Sequence, residues 1–270
     1  MTFFSQIFAY FTGIFLSLIH HEHTAATKCG EVQDLQWCYY QGSPTTTRTV
    51  VFLHGFGNNH DSWGWNSVTK RILADWEKTK TDRPDVIALS FGKLWWYTHD
   101  RGAEMTKFIT EFEKTQKIEN KSRTLYGDSM GGHNSFRWAV DHPEFFERMA
   151  LICPAMPISF AVSDEKIYDG MWPFNMGADL LISEQYATLQ GLNKNPITNT
   201  FYFEKLKPLQ KIHVVVSDKD HFGFYAGGLR LTKALKTIPG AKVALEVQTI
   251  RHCEAEVSKL APFIAERRSY

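Results

Sequence analysis

The sequence has little excess of either charge. Its 30 Lys and Arg residues face 29 Asp and Glu residues, which leaves a formal net charge of +1 over 270 residues. Binding to nucleic acid needs a concentrated basic surface, and this composition gives no reason to expect a nucleic-acid partner. Hydrophobic residues make up 43% of the chain and charged residues 22%. This composition excludes wholesale disorder, and the length is sufficient for one domain with a buried core.

Cysteine is also scarce. The four cysteines, Cys29, Cys38, Cys153 and Cys253, form no CxxC pair and no zinc-ribbon spacing. In an exported protein, Cys29 and Cys38 are close enough in sequence to staple the mature N-terminus with a disulfide bond. The alternative is four free thiols, with Cys153 serving as a small apolar residue in a buried strand. The sequence alone does not pair them.

The first segment lacks charge altogether before Glu22. Residues 3–19 are almost wholly apolar, and residues 20–27 are polar or small. This pattern predicts a signal peptide over residues 1–26 and therefore a secreted or periplasmic protein. Because no Lys or Arg precedes the run, two alternatives stay open: an uncleaved membrane anchor, which needs about 20 apolar residues, and a soluble helix packed on the domain. A membrane is expected as a partner only if this segment is retained.

Internal repeats and low-complexity tracts are absent, and beyond residue 45 short apolar runs alternate with segments of helical periodicity. The predicted strands are 49–53, 85–90, 123–126, 149–153, 212–216 and 243–249. The predicted helices are 67–78, 103–118, 132–141, 229–238 and 254–265. This alternation predicts an α/β fold with a mainly parallel sheet flanked by helices. A further strand or hairpin is predicted within residues 31–41, ahead of a Gly-Ser-Pro turn.

One connection is too long for an ordinary crossover. About 55 residues separate the strands at 149–153 and 212–216, and a crossover usually needs far fewer. We therefore predict a core formed by residues 27–154 and 209–270, with residues 155–208 as a cap or lid that includes a helix at 178–189. The alternative is an ordinary crossover helix with irregular flanks.

The strongest motif is Gly127-Asp128-Ser129-Met130-Gly131-Gly132, which follows a predicted strand and precedes a predicted helix. A serine hydroxyl is a weak nucleophile and must project toward a base. A sharp strand-to-helix turn projects it, and such a turn needs small residues on both sides of the serine, here Gly127 and Gly131. The turn also places the Met130 amide at a helix N-terminus, where the helix dipole stabilises a developing oxyanion.

A second motif, His54-Gly55-Phe56-Gly57, follows the strand at 49–53. A Gly-rich loop at this position can bring another backbone N–H to the substrate carbonyl and complete the oxyanion hole. Phe56 is the predicted donor, with Gly57 as the next candidate. His54 is interpreted as a hydrogen-bonded structural histidine beneath the loop.

The base and its orienting acid are expected at the ends of later strands, in the chain order Ser, Asp, His. Asp218 and Asp220 follow the strand at 212–216, and His252 follows the strand at 243–249. Open α/β sheets place their sites at this edge. Asp220 is predicted as the acid because it lies farther beyond its strand, and Asp218 stays open as its rival. His252 is the predicted base, with His221 as a weaker alternative.

These residues carry a resemblance. The run from Gly127 through the His142-Pro143 pair resembles the nucleophile region of α/β-hydrolase-fold serine esterases, particularly the putative-esterase and esterase D-like branch. The resemblance covers about residues 45–265 and implies ester hydrolysis through an acyl-enzyme, with no metal and no organic cofactor. Two features differ from the common pattern: Asp128 replaces a frequent His or Phe, and Cys253 and Glu254 follow His252, which lacks the usual preceding glycine.

The predicted substrate is a small-molecule ester with an apolar or aromatic group. Trp95 and Trp96 occupy a loop after the strand at 85–90, and Trp172 lies in the predicted cap; all three are candidate substrate-binding residues. The alternative is that these aromatics pack the cap against the core. The same fold and triad also allow a thioesterase, a lipase-like enzyme, an acyltransferase or a catalytically silent binding protein.

Overall fold

The computed structural model describes most of the predicted core. The described residues are 24–119, 122–156, 206, 208–209, 211–220, 222 and 224–266. Residues 1–23 of the predicted signal peptide, nearly all of the predicted cap with its helix at 178–189, Trp172 and His221 lie outside them. In the described part of the chain, no helix is both long and apolar enough to cross a membrane.

Within the described residues, eight strands form one sheet in the order β1-β2-β4-β3-β5-β6-β7-β8. Their bounds are β1 Lys28–Val32, β2 Leu35–Tyr40, β3 Arg48–Leu53, β4 Asp85–Ser90, β5 Ser122–Asp128, β6 Arg148–Ile152, β7 Lys211–Ser217 and β8 Lys242–Gln248. The hairpin β1–β2 is antiparallel, and β2 also pairs antiparallel with β4. All remaining pairs are parallel, so the sheet is mainly parallel, as the sequence predicts, with an antiparallel hairpin at one end.

Helices cover both faces of this sheet because its central strands are apolar on both sides. The helices are α1 Ser67–Lys78, α2 His99–Gln116, α3 Met130–Asp141, α4 Phe224–Leu235 and α5 Leu260–Ala265. In β3, Val51 and Leu53 pack in the core layer that contains α2, α3 and α4. Val50 and Phe52 point into the opposite layer, which contains α1 and α5. This alternation follows from the period of two along a strand.

Several predicted helix bounds were wrong. The helix predicted at 229–238 begins five residues earlier, at Phe224, and ends at Leu235. The helix predicted at 254–265 begins only at Leu260, because residues 249–259 form the loop that carries His252. The predicted helix at 103–118 begins at His99, where the Thr98 side chain accepts a hydrogen bond from the Arg101 N–H and caps the helix. The bounds of the helix at 67–78 were predicted correctly, and in the structure the Asn66 side chain caps it by accepting a hydrogen bond from the Val68 N–H.

The first two cysteines form a disulfide bond. Cys29 and Cys38 face each other across the β1–β2 hairpin, where they are directly paired in register. Cys153 and Cys253 are free. Of the two arrangements that the sequence left open, the hairpin staple is therefore present.

Reduction of this disulfide should lower the free energy of unfolding by roughly 2–3 kcal/mol, because closing a loop of about ten residues removes that much entropy from the unfolded chain. Urea denaturation with and without reductant measures the change. The double variant Cys29→Ala, Cys38→Ala is the control, and reductant should not shift its urea midpoint. An equal response of the two proteins would assign the effect to another group.

Candidate active site

Ser129 occupies a strained turn between β5 and α3. Its backbone has φ 50° and ψ −116°, a conformation that non-glycine residues rarely adopt. Its N–H donates to the Ile152 carbonyl at 2.9 Å, and its own carbonyl accepts from the N–H groups of His133 and Ala155. These bonds to the neighbouring strand, the helix and the following loop hold the turn in place.

Two glycines make that turn sterically feasible. A Cβ at Gly131 would lie 2.0 Å from the Leu53 carbonyl oxygen, and a Cβ at Gly127 would lie 2.3 Å from the Gly131 carbonyl oxygen. Real Cβ atoms do not approach so closely. The motif therefore requires glycine on both sides of Ser129, as the sequence pattern indicates.

Ser129, His252 and Asp220 form a continuous hydrogen-bonded chain. His252 Nε2 lies 2.9 Å from Ser129 Oγ, and His252 Nδ1 lies 2.6 Å from Asp220 Oδ2. The other carboxylate oxygen of Asp220 accepts from the Phe222 N–H at 2.8 Å, and this side chain is buried. If Nδ1 carries the proton, Nε2 has a lone pair directed at the serine hydroxyl, which is the arrangement a general base needs.

Asp218 lies apart from this chain. Its carboxylate accepts a hydrogen bond from Thr249 Oγ1 at 2.9 Å and is exposed. The tight turn after β7, in which the Asp220 N–H donates to the Ser217 carbonyl, directs the two carboxylates differently. The structure therefore brings Asp220, and not Asp218, to His252.

The predicted oxyanion donors have different environments. The Gly57 N–H donates to the Lys93 carbonyl at 2.9 Å and is thereby occupied. The N–H groups of Phe56 and Met130 have no acceptor among the described residues. The amides of Phe56 and Met130 are thus the predicted donors without an acceptor in the described part of the chain, and their role in an oxyanion hole stays a prediction.

His54 and Trp95 lie beneath the loop. His54 is fully buried between Ser90 Oγ and the Gly55 carbonyl, each 2.8 Å from a ring nitrogen, and burial lowers its pKa to about 4. Trp95, predicted to bind substrate, is instead a core residue with 2% exposure. Its indole packs on Phe91, and its N–H is directed at His54 Nε2. The amphipathic indole is buried because a polar partner is available inside the core.

A cluster of apolar side chains adjoins His252, and most of its members were not predicted from the sequence. The imidazole ring lies 4.7 Å from the ring of Phe222 and 5.7 Å from that of Phe224. Ala155 packs with Phe224, and Trp96 packs against both. Of the predicted substrate-binding residues, Trp96 therefore lies at the site, and Trp172 lies outside the described residues. Phe222 and Phe224, two and four residues after Asp220, were the available signal.

Asp128 is buried behind the nucleophile. Its Oδ2 accepts from Asn66 Nδ2 at 3.2 Å, and the carboxyl is 3% exposed. Burial raises the pKa of this carboxyl to about 6. The carboxyl is therefore neutral in mildly acidic solution and becomes a buried negative charge near neutral pH.

Three side chains beneath the site could hold a metal ion. The donor atoms of Cys153, His252 and Cys253 all lie within 4.8 Å of one another. In the part of the chain that the structure describes, this is the one group of three or more such ligands.

The chain is similar to several known proteins. Residues 50–199 match the model of a protein family described as "Putative esterase". Over 124 residues, the chain is 29% identical to the monoacylglycerol lipase ABHD6 of Bos taurus, a match that covers 46% of this chain and 35% of the relative. The human ABHD6 lipase is 28% identical over 144 residues, 53% of this chain and 38% of that protein. The matched segment thus spans little more than a third of these relatives.

Solved structures show the same fold. An esterase of Pyrobaculum calidifontis superposes with a TM-score of 0.64 at 16% identity and covers 92% of this chain and 83% of its own. A ferulic acid esterase superposes with a TM-score of 0.58 at 13% identity and covers 83% of this chain and 90% of its own. At such identities the likeness establishes the α/β-hydrolase fold alone.

Replacing Asp128 by Asn should change how stability depends on pH. The pKa of Asp128 is raised from 3.8 in the unfolded chain to about 6 in the folded state, so folding favours the protonated carboxyl. This contribution to the stability of the folded state is fully present below about pH 3.8 and is lost as the pH rises through about 6. Relative to Asp128→Asn, its free energy of unfolding should fall by roughly 2–3 kcal/mol between about pH 4 and pH 7. Urea denaturation of both proteins across this range tests the claim. Parallel pH profiles would show that this carboxyl does not titrate there.

Proposed function

The chain belongs to the putative-esterase family of α/β-hydrolase-fold proteins, and on that premise we propose that it hydrolyses carboxylic esters through Ser129, His252 and Asp220. One observation carries the proposal: the His252 imidazole is hydrogen-bonded to the Asp220 carboxylate through one nitrogen and to the Ser129 hydroxyl through the other. Such a linked set of acid, base and nucleophile is what covalent acyl transfer requires.

In the first half-reaction, Ser129 Oγ attacks the acyl carbon of the ester while His252 Nε2 takes the hydroxyl proton. The carbonyl oxygen becomes an oxyanion, and the N–H groups of Phe56 and Met130 stabilise it. Asp220 holds the Nδ1–H tautomer and stabilises the imidazolium. The tetrahedral intermediate then breaks its bond to the alkoxy oxygen. His252 protonates that oxygen, so the alcohol leaves and the acyl group stays on Ser129.

In the second half-reaction, water attacks the acyl carbon and gives a proton to His252. The new tetrahedral intermediate breaks its bond to Ser129 Oγ, which regains a proton from the imidazolium. The carboxylic acid leaves, and the starting state is restored. Neither half-reaction needs a metal or an organic cofactor, because the proton moves between Ser129, His252, substrate and water only.

We propose an apolar or aromatic acyl or alcohol group for the substrate. The supporting observation is the cluster of Trp96, Phe222, Phe224 and Ala155 beside the triad. The Ala155 N–H donates to the Ser129 carbonyl at 2.9 Å, so this cluster directly adjoins the backbone of the nucleophile. An apolar substrate group that packs there is removed from water, which stabilises the complex by about 25 cal/mol for each Å² of apolar surface buried.

Lipase-like activity on longer acyl chains is the second candidate. Phe56 is 63% exposed and Leu94 is 51% exposed, although both lie in the loops that form the site. The bond from the Gly57 N–H to the Lys93 carbonyl joins those loops. Exposed apolar side chains beside a site suit a long aliphatic chain. The relatives described as monoacylglycerol lipases support the same candidate.

For location we propose export, to the periplasm or the cell exterior. The Cys29–Cys38 disulfide supports this, because structural disulfides persist in oxidising compartments and are rare in a reducing cytosol. The apolar segment before residue 20 is consistent with a signal peptide or a retained anchor. The intact mass of the exported protein distinguishes these two, since cleavage removes about 26 residues.

Ser129→Ala should lower kcat/KM for p-nitrophenyl esters by at least about 10⁴-fold, because the variant cannot form an acyl-enzyme. The assay uses a series of esters from acetate to palmitate, so that the preferred chain length separates the esterase from the lipase-like candidate. A fluorophosphonate probe should label the wild type and leave the variant unlabelled. Thermal denaturation serves as the folding control. Turnover or labelling that survives in a folded variant would reject this mechanism.

Asp220→Asn should lower kcat/KM on the order of 10³- to 10⁴-fold, since the amide no longer fixes the Nδ1–H tautomer of His252. Asp218→Asn is the matched control, because it makes the same chemical change two residues away on a carboxylate bonded to Thr249. The control should keep activity near that of the wild type. The opposite ranking would transfer the acid role to Asp218.

A further inference from the structure

Two thiols and the proposed catalytic imidazole meet beneath the nucleophile. Cys153 directly follows β6, and Cys253 directly follows His252 in the loop after β8. The Cys253 N–H donates to Cys153 Sγ at 2.9 Å, and Cys253 Sγ lies 3.5 Å from His252 Nε2. Both cysteines have positive φ, 42° and 54°. A positive φ is sterically unfavourable for residues other than glycine. Both cysteines adopt it at the place where their side chains come together.

The spacing of these donors suits a thiophilic cation. In a tetrahedral zinc site, Zn–S and Zn–N bonds of about 2.3 and 2.1 Å place neighbouring ligand atoms about 3.6 to 3.8 Å apart. The separation of 3.5 Å between Cys253 Sγ and His252 Nε2 already matches that value. All three donor atoms lie within 4.8 Å, so side-chain movements of about 1 Å would complete the set.

The chemistry of the donors selects the class of metal. Thiolate sulfur favours zinc and softer cations, and imidazole nitrogen suits zinc as well, whereas magnesium and calcium require oxygen ligands. Three protein ligands leave the fourth tetrahedral position for water. Each thiol releases a proton as its sulfur binds, so a divalent cation is bound by two thiolates and one neutral imidazole with no net charge on the site.

We propose that Cys153, Cys253 and His252 form an inhibitory site for zinc or cadmium ions. The inhibition, but not the binding, rests on the function proposed above. His252 Nε2 has one lone pair, which faces Ser129 Oγ at 2.9 Å. A cation binds this lone pair only when the Ser129 hydroxyl rotates away from it, and a bound cation removes the base for the serine proton. Hydrolysis therefore stops while the metal is bound and resumes when a chelator removes it.

The site can be reached from the side of the triad. Cys253 is only partly buried, and the His252 side chain retains 11% exposure. Cys153 is 1% exposed and lies behind them. A cation would therefore meet His252 and Cys253 first and gain the third ligand by a small inward movement.

The test measures cadmium binding and hydrolysis separately. Absorption by cadmium–thiolate bonds reports binding in the full chain, and p-nitrophenyl butyrate reports activity with and without EDTA. The wild type should bind one Cd²⁺ per chain, and its activity should fall in proportion to the fraction of protein that has bound Cd²⁺. EDTA should restore the activity fully. Cys153→Ala and Cys253→Ala should each bind at least about tenfold more weakly. Their inhibition is expressed relative to their own activity without metal.

Two controls separate this site from other effects. Ser129→Ala retains all three ligands, so it should bind Cd²⁺ like the wild type although it has lost hydrolysis; this result keeps the binding claim independent of the proposed function. His99→Ala removes a histidine whose side chain is 70% exposed, and it should leave both binding and inhibition unchanged.

Three outcomes would overturn the proposal: inhibition by cadmium that persists in both cysteine variants, tight binding that is lost in His99→Ala, or a thiol titration that finds no free cysteine in the native protein. The last result would mean that Cys153 and Cys253 are joined by a second disulfide bond and cannot bind metal. We expect two free thiols.

Discussion

The structure depends on a backbone constraint at Ser129. Its positive φ lets the chain turn from β5 directly into α3, so that the hydroxyl stands at the edge of the sheet and the Met130 amide begins a helix. Such a conformation is stable only when surrounding contacts fix it. Here the fixing contacts come from three directions: the Ile152 carbonyl on β6, the His133 N–H in α3 and the Ala155 N–H in the following loop. The backbone at Gly131 also packs closely against the Leu53 carbonyl, and this contact further fixes the turn.

The parallel sheet then supplies the other two members of the chain of hydrogen bonds. β5, β6, β7 and β8 are adjacent and parallel, so the loops that leave their carboxyl ends meet at one edge. Asp220 and His252 lie in two of these loops, and they are separated from Ser129 by 91 and 123 residues of sequence. Distance along the chain is thus irrelevant here, because strand adjacency sets the distance in space.

Much of this was predictable from the sequence. The strand and helix alternation predicted the α/β sheet, because apolar runs covered on both faces have a recognisable composition. The glycines around Ser129 predicted the sharp strand-to-helix turn, because the need for small residues there arises within the turn itself. The choice of Asp220 over Asp218 followed only from its distance beyond the strand, and the structure brings the same residue to His252.

Other features depended on tertiary contacts that local patterns do not encode. Trp95 and Trp96 are neighbours with equal side chains, yet Trp95 is buried against His54 and Trp96 packs against the cluster of Ala155 and Phe224. No periodic pattern within a loop tells from the sequence which of the two indoles is buried. The late start of α5 follows from the need to extend the loop around His252. Likewise, the meeting of Cys153 with Cys253 requires knowledge that β6 lies beside β7 and that the loop after β8 folds back across both.

The two ends of the sheet have a further consequence for solubility. An open strand edge offers unpaired backbone groups to another molecule, and charged side chains are a common defence against such association. At one end, β1 is five residues long, largely exposed, and carries Lys28 and Glu31. At the other, β8 carries Lys242 and Glu246. The short length of β1 and the charged side chains on both edge strands make edge-to-edge stacking of the described sheet unfavourable.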